Sequence, residues 1–452
     1  MNREDITAAY IDAVVTSGAK APELVGTQPQ SKLLQAQYMG RYLARPVFLG
    51  HAERIQLESD LLNLHTALKS LPERVYGGDL AAFARAVGMT DVQVSAIMRS
   101  RGTSVTMQAR ADMYTDESGF RLLEFNMGST LGGMDNADMC RALLDHPVLG
   151  DFAEAQRLQY VDTMREQVNN VIVESGFAPD SFPVVALTDW PSSFETLGPY
   201  MAHYAERWRE LGLDALPCHI GQLEVRDGRV WLGERAVDIV YRLFLIEDLL
   251  EYPEAPELMD PILDAAARGE VKIFTPMDSE LFASKGALAM LSDELNQHLF
   301  TAEERESLNR ILPWTRMVRD EKVTLEDGTR VDLLAYATEH QDDLALKPTL
   351  LHGGQGVLLG WHEDTTPEIW QQQLKDAVDG AFVLQRRIRP VPELFPGEDG
   401  EPVPWNVAWG VFTVVNGYGG VIARATTVDS NVGVINMATG AFVGCALHAT
   451  SD

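Results

Sequence analysis

The sequence has little cysteine and no long apolar run, and each shortage excludes a class of protein. Only three cysteines occur among 452 residues, Cys140, Cys218 and Cys445, and they are far apart and lack CxxC spacing. This pattern predicts neither a disulfide framework nor a thiolate zinc site, so we expect buried free thiols. No apolar run approaches the roughly 18 residues of a membrane span, and the charged N-terminal segment lacks a signal-peptide core. We therefore expect a cytoplasmic protein with no membrane partner.

Basic side chains are scarce as well. The chain has 37 lysines and arginines against 66 aspartates and glutamates, which gives a net charge of −29. This balance opposes broad binding to nucleic acid or anionic lipid, and the clearest basic patch, Arg386-Arg387-Ile388-Arg389, is small beside a duplex footprint. We expect no nucleic-acid partner. An acidic protein attracts a cationic substrate such as an amine, although acidic surfaces also serve solubility alone.

The proportion of hydrophobic residues is typical of a folded globular protein. Hydrophobic residues make up 46% and charged residues 23% of a chain long enough for two or three domains. Helix-period apolar positions predict a helical layer in the first hundred residues, including a helix from Ser31 to Leu43. Strands that alternate with helices between Phe182 and Tyr241 predict a small α/β domain. The sequence thus predicts a mixed α/β protein.

The stretch from Gln108 to Met127 carries the clearest chemical pattern. Two alternating runs, 105–113 and 120–127, flank turn-forming residues and predict a β-hairpin. Alternation places odd-numbered apolar residues on one face and even-numbered polar residues on the other. A register centred on Ser118 brings four of the polar residues together.

Those four residues are Arg110, Asp112, Glu124 and Asn126, with Asp112 opposite Glu124 and Arg110 opposite Asn126. Two carboxylates and an amide oxygen suit a hard cation such as Mg²⁺, and an adjacent arginine can hold a phosphate that the metal bridges. The alternative is an amphipathic hairpin whose charges face water. The following segment, Gly128-Ser-Thr-Leu-Gly-Gly, predicts either an amide-rich anion loop before a helix or a simple strand-to-helix turn.

Two more polar residues lie at the carboxyl ends of predicted strands in the middle region, where α/β domains bind ligands. They are Asp189 and Arg242, and either can hold a substrate. The alternatives are structural: Asp189 caps a helix, and Arg242 forms a salt bridge with Asp238 or Glu247.

Glycine density rises in the final third. Lys347 ends a predicted strand, and Gly353, Gly354, Gln355 and Gly356 lie in the loop before the next strand. Small residues let a loop backbone approach phosphates, and a lysine supplies a mobile positive charge. No GK[ST] follows and no helix opens directly after the loop, so it is neither a Walker loop nor a dinucleotide motif. A plain hairpin turn is the alternative.

Two strands follow this loop. The apolar strand from Ala381 to Pro390 can read an adenine edge through its exposed backbone. A hairpin around Asn416-Gly417 places Arg424 on a strand. Between them, Pro390 to Pro404 is predicted to be a mobile loop.

Taken together, the motifs resemble the circularly permuted ATP-grasp ligases typified by the synthetase domain of glutathionylspermidine synthetase. Arg110-Ala-Asp112 and Glu124-Phe-Asn126 resemble that family's Arg-x-Asp and Glu-x-Asn strands, with the same 12-residue separation of Asp112 from Glu124. Further along the chain, the matching segments are Ser284-Lys285-Gly-Ala-Leu288, Lys347-Pro348 with Gly353-Gly354-Gln355-Gly356, and the hinge Val383-Leu-Gln385-Arg386-Arg387.

The order of these motifs is what makes the resemblance specific. In ordinary ATP-grasp enzymes the lysines and the glycine loop precede the metal motif, whereas here Glu124 precedes Lys285 and Lys347. This order fits the permuted branch. The implied fold is a circularly permuted ATP-grasp with an N-terminal helical layer and an inserted small α/β domain. Its predicted regions are 1–160 with the metal hairpin, 161–270 as the small substrate-side domain, and 271–452 as the nucleotide-binding region.

The resemblance implies a role for each matching residue. The implied metal ligands are Asp112, Glu124 and Asn126; the nucleotide contacts are Lys285, Lys347, Gly353, Gly354, Gln355, Gly356, Gln385, Arg386 and Arg387; and the catalytic residues are Arg110 and Arg424. The implied cofactors are ATP and Mg²⁺.

The substrate is not implied. After Asn126 the family type continues Ala-Asp-Thr-Pro-Thr, whereas this chain has Met127-Gly-Ser-Thr-Leu-Gly-Gly-Met, and no amidase domain precedes it. Specificity for glutathione and spermidine is therefore not carried over.

The implied activity is ATP-dependent ligation of a small-molecule or peptide carboxylate to an amine through an acylphosphate, with release of ADP and phosphate. Three alternatives keep the nucleotide site: a phosphotransferase, a ligase that acts on a carrier or an aminoacyl-tRNA, and a non-catalytic scaffold. The oligomeric state is not indicated.

Overall fold

The computed structural model describes residues 2–18, 34, 38, 40–100, 102, 105–252, 254–378, 380–397, 401–430 and 433–451. The helix predicted from Ser31 to Leu43 falls largely outside these residues.

The α-helices of the described chain are α1 (Arg3–Ser17), α2 (His51–Tyr76), α3 (Leu80–Ala86), α4 (Asp91–Ser100), α5 (Asn136–Leu144), α6 (Pro147–Ala155), α7 (Thr163–Glu174), α8 (Pro191–Glu210), α9 (Asp248–Glu251), α10 (Ala255–Ala267), α11 (Ser279–Ala283), α12 (Lys285–Ser292), α13 (Ala302–Ile311), α14 (Leu333–Glu339) and α15 (Pro367–Val378).

The strands are β1 (Val47–Leu49), β2 (Ala109–Asp116), β3 (Gly119–Met127), β4 (Leu158–Gln159), β5 (Val184–Asp189), β6 (Asp214–His219), β7 (Leu223–Arg226), β8 (Arg229–Leu232), β9 (Arg235–Val237), β10 (Ile239–Arg242), β11 (Lys272–Phe274), β12 (Thr315–Met317), β13 (Lys322–Thr324), β14 (Arg330–Asp332), β15 (Leu344–Pro348), β16 (Leu358–Leu359), β17 (Phe382–Arg386), β18 (Glu393–Pro396), β19 (Pro402–Val414), β20 (Gly417–Thr427) and β21 (Phe442–Ala449).

The largest sheet joins the two ends of the chain. Its strand order is β1-β21-β20-β19-β2-β3, with β4 paired to β21 and β18 paired to β19. Its pairs are antiparallel except for β1 with β21. Buried leucines of α2 belong to the core cluster that also holds β19 and β20 residues. The sheet therefore brings the early hairpin against late strands.

The hairpin β2–β3 confirms the predicted register, which pairs Arg110 with Asn126 and Asp112 with Glu124. A β-bulge then shifts the pairing by one residue, because Leu123 is the extra residue in β3. The predicted alternation ends there: Leu122 is fully buried, whereas Leu123 lines a cleft.

The middle region contains a four-stranded parallel sheet in the order β11-β10-β5-β6. Parallel strands need crossover helices, which α8 and α10 supply. The hairpin of β7 and β8 also belongs to this region, and it turns at Asp227 and Gly228, which both adopt positive φ.

The third sheet, β12-β17-β15-β16, is antiparallel, and β15 and β16 are joined by the glycine-rich loop. Two buried tryptophans, Trp314 and Trp370, lie in its core cluster. The helices α11 and α12 are separated at Ser284, whose side chain accepts a hydrogen bond from Gly286 N and caps α12.

The segment from Pro390 to Pro404 was expected to be a loop, and this is wrong in part, because β18 lies within it and pairs with β19. Across the described ranges, no helix is both long and apolar enough to span a membrane.

Candidate functional site

A cleft of about 810 Å³, open solvent at its mouth included, lies between the third sheet and the polar face of the hairpin. Ten of the predicted site residues line it: Asp112, Glu124, Lys285, Lys347, Gly353, Gly354, Gln385, Arg386, Arg387 and Arg424. Arg110 and Asn126 line an adjoining cavity. Gln355 and Gly356 line neither space and are exposed on the loop.

Both predicted arginines bind the same carboxylate. Arg110 makes a bidentate pair with Asp112, through Nε to Oδ1 at 2.7 Å and Nη2 to Oδ2 at 2.9 Å. Arg424 reaches Asp112 Oδ1 from β20 at 2.8 Å. The Asp112 carboxylate therefore holds both guanidinium groups at the cleft.

The Arg110–Asp112 pair depends on the absence of a side chain at Gly410, which pairs with Asp112 across the sheet. A Cβ there would lie 2.7 Å from Ile422 Cγ2 and 2.9 Å from Arg110 Cδ. We therefore predict that Gly410→Ala lowers the free energy of unfolding by about 1–3 kcal/mol, as measured by urea denaturation. Gly132→Ala is the control, since a Cβ at that position has no neighbour within 4 Å. Equal stabilities of the two variants would contradict this packing argument.

Glu124 lies beside Lys285, with 3.2 Å between Oε2 and Nζ. Burial opposes ionisation of Glu124, but the nearby Lys285 charge and a hydrogen bond from Asn126, together with Lys347 and His352, hold its pKa well below the usual range. The carboxylate is thus charged at any pH near neutrality.

Lys347 is buried beneath the cleft, with 8% of its surface exposed. Its ammonium group donates to Gln385 Oε1 at 2.6 Å and to Leu123 O at 3.2 Å, the carbonyl of the bulged residue. Burial lowers the pKa of Lys347 to about 8, against the opposing charge of Glu124. Both hydrogen-bond acceptors are neutral, so this cation favours an anionic ligand.

The three predicted metal ligands form one hydrogen-bonded group. Asn126 Nδ2 lies 3.1 Å from Glu124 Oε1 and 3.4 Å from Asp112 Oδ2. An amide donor thus occupies the position between two carboxylates where a cation would be stabilised. Turning the amide presents its oxygen instead, which completes an all-oxygen donor set of the kind Mg²⁺ takes. Among the described residues, no group of three or more His, Cys, Asp or Glu side chains could hold a metal ion, and the predicted set consists of two carboxylates and an amide.

The glycine-rich loop is fastened on both sides of the cleft. Leu351 O accepts from Lys285 Nζ at 2.8 Å, and Gly353 O accepts from Asn436 Nδ2 at 3.0 Å. His352 Nδ1 lies 3.3 Å from Asn126 Oδ1. His352 and Asn436 were not predicted. His352 lies within the glycine-rich motif, whereas no local pattern marks Asn436.

The far end of the cleft is aromatic and apolar. The Arg387 guanidinium lies 4.4 Å from the centroid of Trp361, a residue not predicted. The Arg386 side chain points elsewhere, to Glu326 and Tyr336, and its backbone N–H donates to Trp314 O at 2.8 Å. The Gln385 side chain accepts a hydrogen bond from Lys347 Nζ through Oε1 and donates one to Thr315 Oγ1 through Nε2.

A second cavity of about 720 Å³ adjoins the first, and Glu124 and Gly353 border both. Its walls include residues 127–132, whose amides at 129–132 donate to no other described residue. Successive unpaired amides favour anions, and the anion-loop interpretation stays a prediction.

The two strand-end residues differ in position. Arg242 borders the second cavity, but its guanidinium pairs with Glu280 rather than with the predicted Asp238 or Glu247. Asp189 lines neither space, and its carboxylate accepts Trp190 N at 2.7 Å beside the start of α8.

No protein-family model matches the sequence, and no curated protein matches it either. Solved structures do match, and the first one described below shows that the chain has a glutathione synthetase-like fold. A glutathione synthetase-like effector (GSS30) from Globodera pallida, in its apo form, aligns over 99% of each chain with a TM-score of 0.58 and 11% identity. A putative gamma-glutamylcysteine synthetase from Methylobacillus flagellatus KT aligns over 86% of this chain and 87% of its own, with a TM-score of 0.43 and 12% identity. At 11% identity, the likeness to the first of these structures shows the fold alone.

Proposed function

We propose that this protein is an ATP-dependent carboxylate–amine ligase. The observation that supports this proposal most strongly is the meeting of two cavities at Glu124, one lined by lysines and a glycine-rich loop and the other by an arginine and unpaired amides. A nucleotide in the first cavity and an acyl substrate in the second would meet there. The glutathione synthetase-like fold supports the same class of reaction.

In the proposed reaction, an oxygen of the substrate carboxylate attacks the γ-phosphorus of ATP. The bond from this phosphorus to the β,γ-bridging oxygen breaks, which releases ADP and leaves an acylphosphate. The nitrogen of a neutral amine then attacks the acyl carbon, the carbon–oxygen bond to phosphate breaks, and the nitrogen loses one proton to solvent. The products are an amide and inorganic phosphate.

The chain's own residues neutralise charge in both steps. Lys347 and Lys285 would hold the α and β phosphates, and Arg110 would stabilise the transferring phosphoryl group. Amides at 129–132 would hold the oxygen that becomes negative on the tetrahedral acyl carbon. Trp361 and the backbone at Arg386 would line the adenine end.

Asp112, Glu124 and Asn126 would hold Mg²⁺, which would act as a Lewis acid and neutralise negative charge on the phosphates. The glycine loop, held by Asn436, would exclude water that would otherwise hydrolyse the acylphosphate. The permuted motif order and the three sequence regions, 1–160, 161–270 and 271–452, belong to this proposal.

A screen of carboxylates paired with amines tests the proposal, with ADP and AMP measured separately. We expect at least one pair to release ADP in a reaction that needs both partners. AMP release would exclude the acylphosphate mechanism, and ADP release by a carboxylate or an alcohol alone would favour a phosphotransferase.

A further inference from the structure

The segment that follows the hairpin is tied to the protein interior through its carbonyl groups. Gly128 O accepts a hydrogen bond from Gln108 Nε2 at 3.1 Å, and Ser129 O accepts one from the Tyr241 hydroxyl at 2.7 Å. The side chains of Gln108 and Tyr241 are fully buried, and neither lines the second cavity. Both carbonyls therefore point away from this cavity and into the interior.

The amide groups of the same peptide units point the opposite way. Both units are trans, and a trans peptide unit is planar, with its C=O and N–H on opposite sides of the chain. The unit that contains Gly128 O also contains Ser129 N–H, and the unit that contains Ser129 O also contains Thr130 N–H. Neither N–H donates to a described residue, and residues 127–132 line the second cavity. The two N–H groups thus face this cavity from adjacent positions.

The direction of the Tyr241 hydroxyl is fixed by its surroundings. Its oxygen accepts hydrogen bonds from Gln108 Nε2 at 3.2 Å and from Gln167 Nε2 at 2.7 Å, which leaves Ser129 O as the acceptor of its single proton. Burial raises the pKa of Tyr241 well above the usual range, so the hydroxyl keeps this proton. The bond to Ser129 O is therefore present at every pH near neutrality.

Two side-chain hydrogen bonds hold the same loop against the end of β10. Ser129 Oγ donates to Arg242 O, and Thr130 Oγ1 donates to Leu243 O at 3.0 Å. A rotation of the peptide units would strain these bonds as well as those of the two carbonyls. The N–H groups are thus oriented before an anion binds, which is the condition under which backbone donors stabilise developing charge most effectively.

We propose that Gln108 and Tyr241 are positioning residues that aim the Ser129 and Thr130 amides at one anionic oxygen in the second cavity. The inference rests on the proposed ligase function for the identity of that oxygen, which is the one that becomes negative when the amine attacks the acyl carbon. Gln108 and Tyr241 act only through the loop and do not touch the substrate.

The amide signals of the loop test this inference without ATP or turnover. The full chain is labelled with ¹⁵N-serine or ¹⁵N-threonine, and its NMR signals are followed as inorganic phosphate, a tetrahedral oxyanion, is added. The variants Ser129→Ala and Thr130→Ser assign the two signals. In the wild type we expect phosphate to move both signals in a saturable way. In Tyr241→Phe, the half-maximal shift of the Thr130 signal should require about 10-fold more phosphate or greater.

Tyr252→Phe is the matched control, because the Tyr252 hydroxyl bonds to Ser192 Oγ at 3.0 Å rather than to the loop. It should respond to phosphate as the wild type does. Gln108→Met frees Gly128 O instead, and it provides the test if Tyr241→Phe does not fold. Loop signals that do not respond to phosphate in the wild type, or that respond equally in a folded Tyr241→Phe or Gln108→Met variant, would overturn the inference.

Failure of the ligase function has a different signature. With an accepted substrate pair, Tyr241→Phe should lower kcat about 10-fold and leave the KM for ATP unchanged, because the loop lies outside the nucleotide cleft. A wild-type kcat in this variant would remove the positioning role and leave the ligase function standing. Loop signals that respond as expected, in a protein that releases ADP with no carboxylate and amine pair, would instead remove the ligase function.

Discussion

Glu124→Gln should lower Mg²⁺-dependent turnover by about 10³-fold, because loss of a metal ligand removes several kcal/mol of charge stabilisation in the transition state. Glu124 is the group that borders both cavities, and it bonds to Lys285 and Asn126 at the same time. Glutamine keeps the shape and the hydrogen-bonding oxygen but not the charge. The rate of ADP release with an accepted substrate pair is the measurement.

A binding experiment distinguishes this effect from misfolding. In EDTA, the Glu124→Gln variant should bind ATP at least as tightly as the wild type, since one negative charge near the phosphates is gone and both lysines remain. Added Mg²⁺ should no longer strengthen binding. Glu117→Gln, in the exposed turn of the same hairpin, is the matched control and should behave as the wild type. Near-normal turnover of Glu124→Gln would remove this residue from the ligand set.

Lys347→Ala should weaken ATP binding by about 10- to 100-fold, the usual worth of a hydrogen bond to a charged group. The buried ammonium has only neutral hydrogen-bond partners, Gln385 Oε1 and Leu123 O, so a phosphate would be the first anion to accept a hydrogen bond from it. Lys375→Ala, on the exposed face of α15, is the control. Unchanged ATP affinity of Lys347→Ala would mean that the loop and lysine are structural.

The pH dependence of ATP affinity gives a second test of Lys347. Burial places its pKa at about 8, below the usual lysine range, and phosphate binding favours the charged form. Wild-type affinity should therefore be nearly constant below pH 8 and should fall as the pH rises above 8, with proton uptake on binding. The fall should be absent from Lys347→Ala. A wild-type affinity independent of pH from 7 to 10 would contradict this assignment.

The hairpin could be predicted because its determinants are local. Alternation and a short turn fix which of Arg110, Asp112, Glu124 and Asn126 lie opposite one another. The bulge at Leu123 could not be predicted, since nothing in the alternation marks an extra residue. Yet this bulge turns the Leu123 carbonyl toward Lys347, which joins the hairpin to a strand more than 200 residues later.

The site contacts that could not be predicted from the sequence depend on packing between residues that are far apart in the chain. Asn436 contacts the glycine loop because residues 433–436 line the cleft, and no local sequence pattern predicts this position. The pairing of Arg242 with Glu280 likewise joins β10 to α11. Arg386 was predicted from its motif, but its side chain faces Glu326, since strand alternation turns it away from Gln385. A motif identifies residue types in order, whereas side-chain direction and tertiary partners come from the packed fold.

The central claim is that phosphate passes from ATP to a carboxylate before the amine attacks. The most direct measurement uses a substrate carboxylate labelled with ¹⁸O in both oxygens, with the products analysed by ³¹P NMR. Transfer through an acylphosphate predicts that the released inorganic phosphate contains one ¹⁸O atom and that ADP contains none. Inorganic phosphate without label, or ¹⁸O in AMP, would contradict the account.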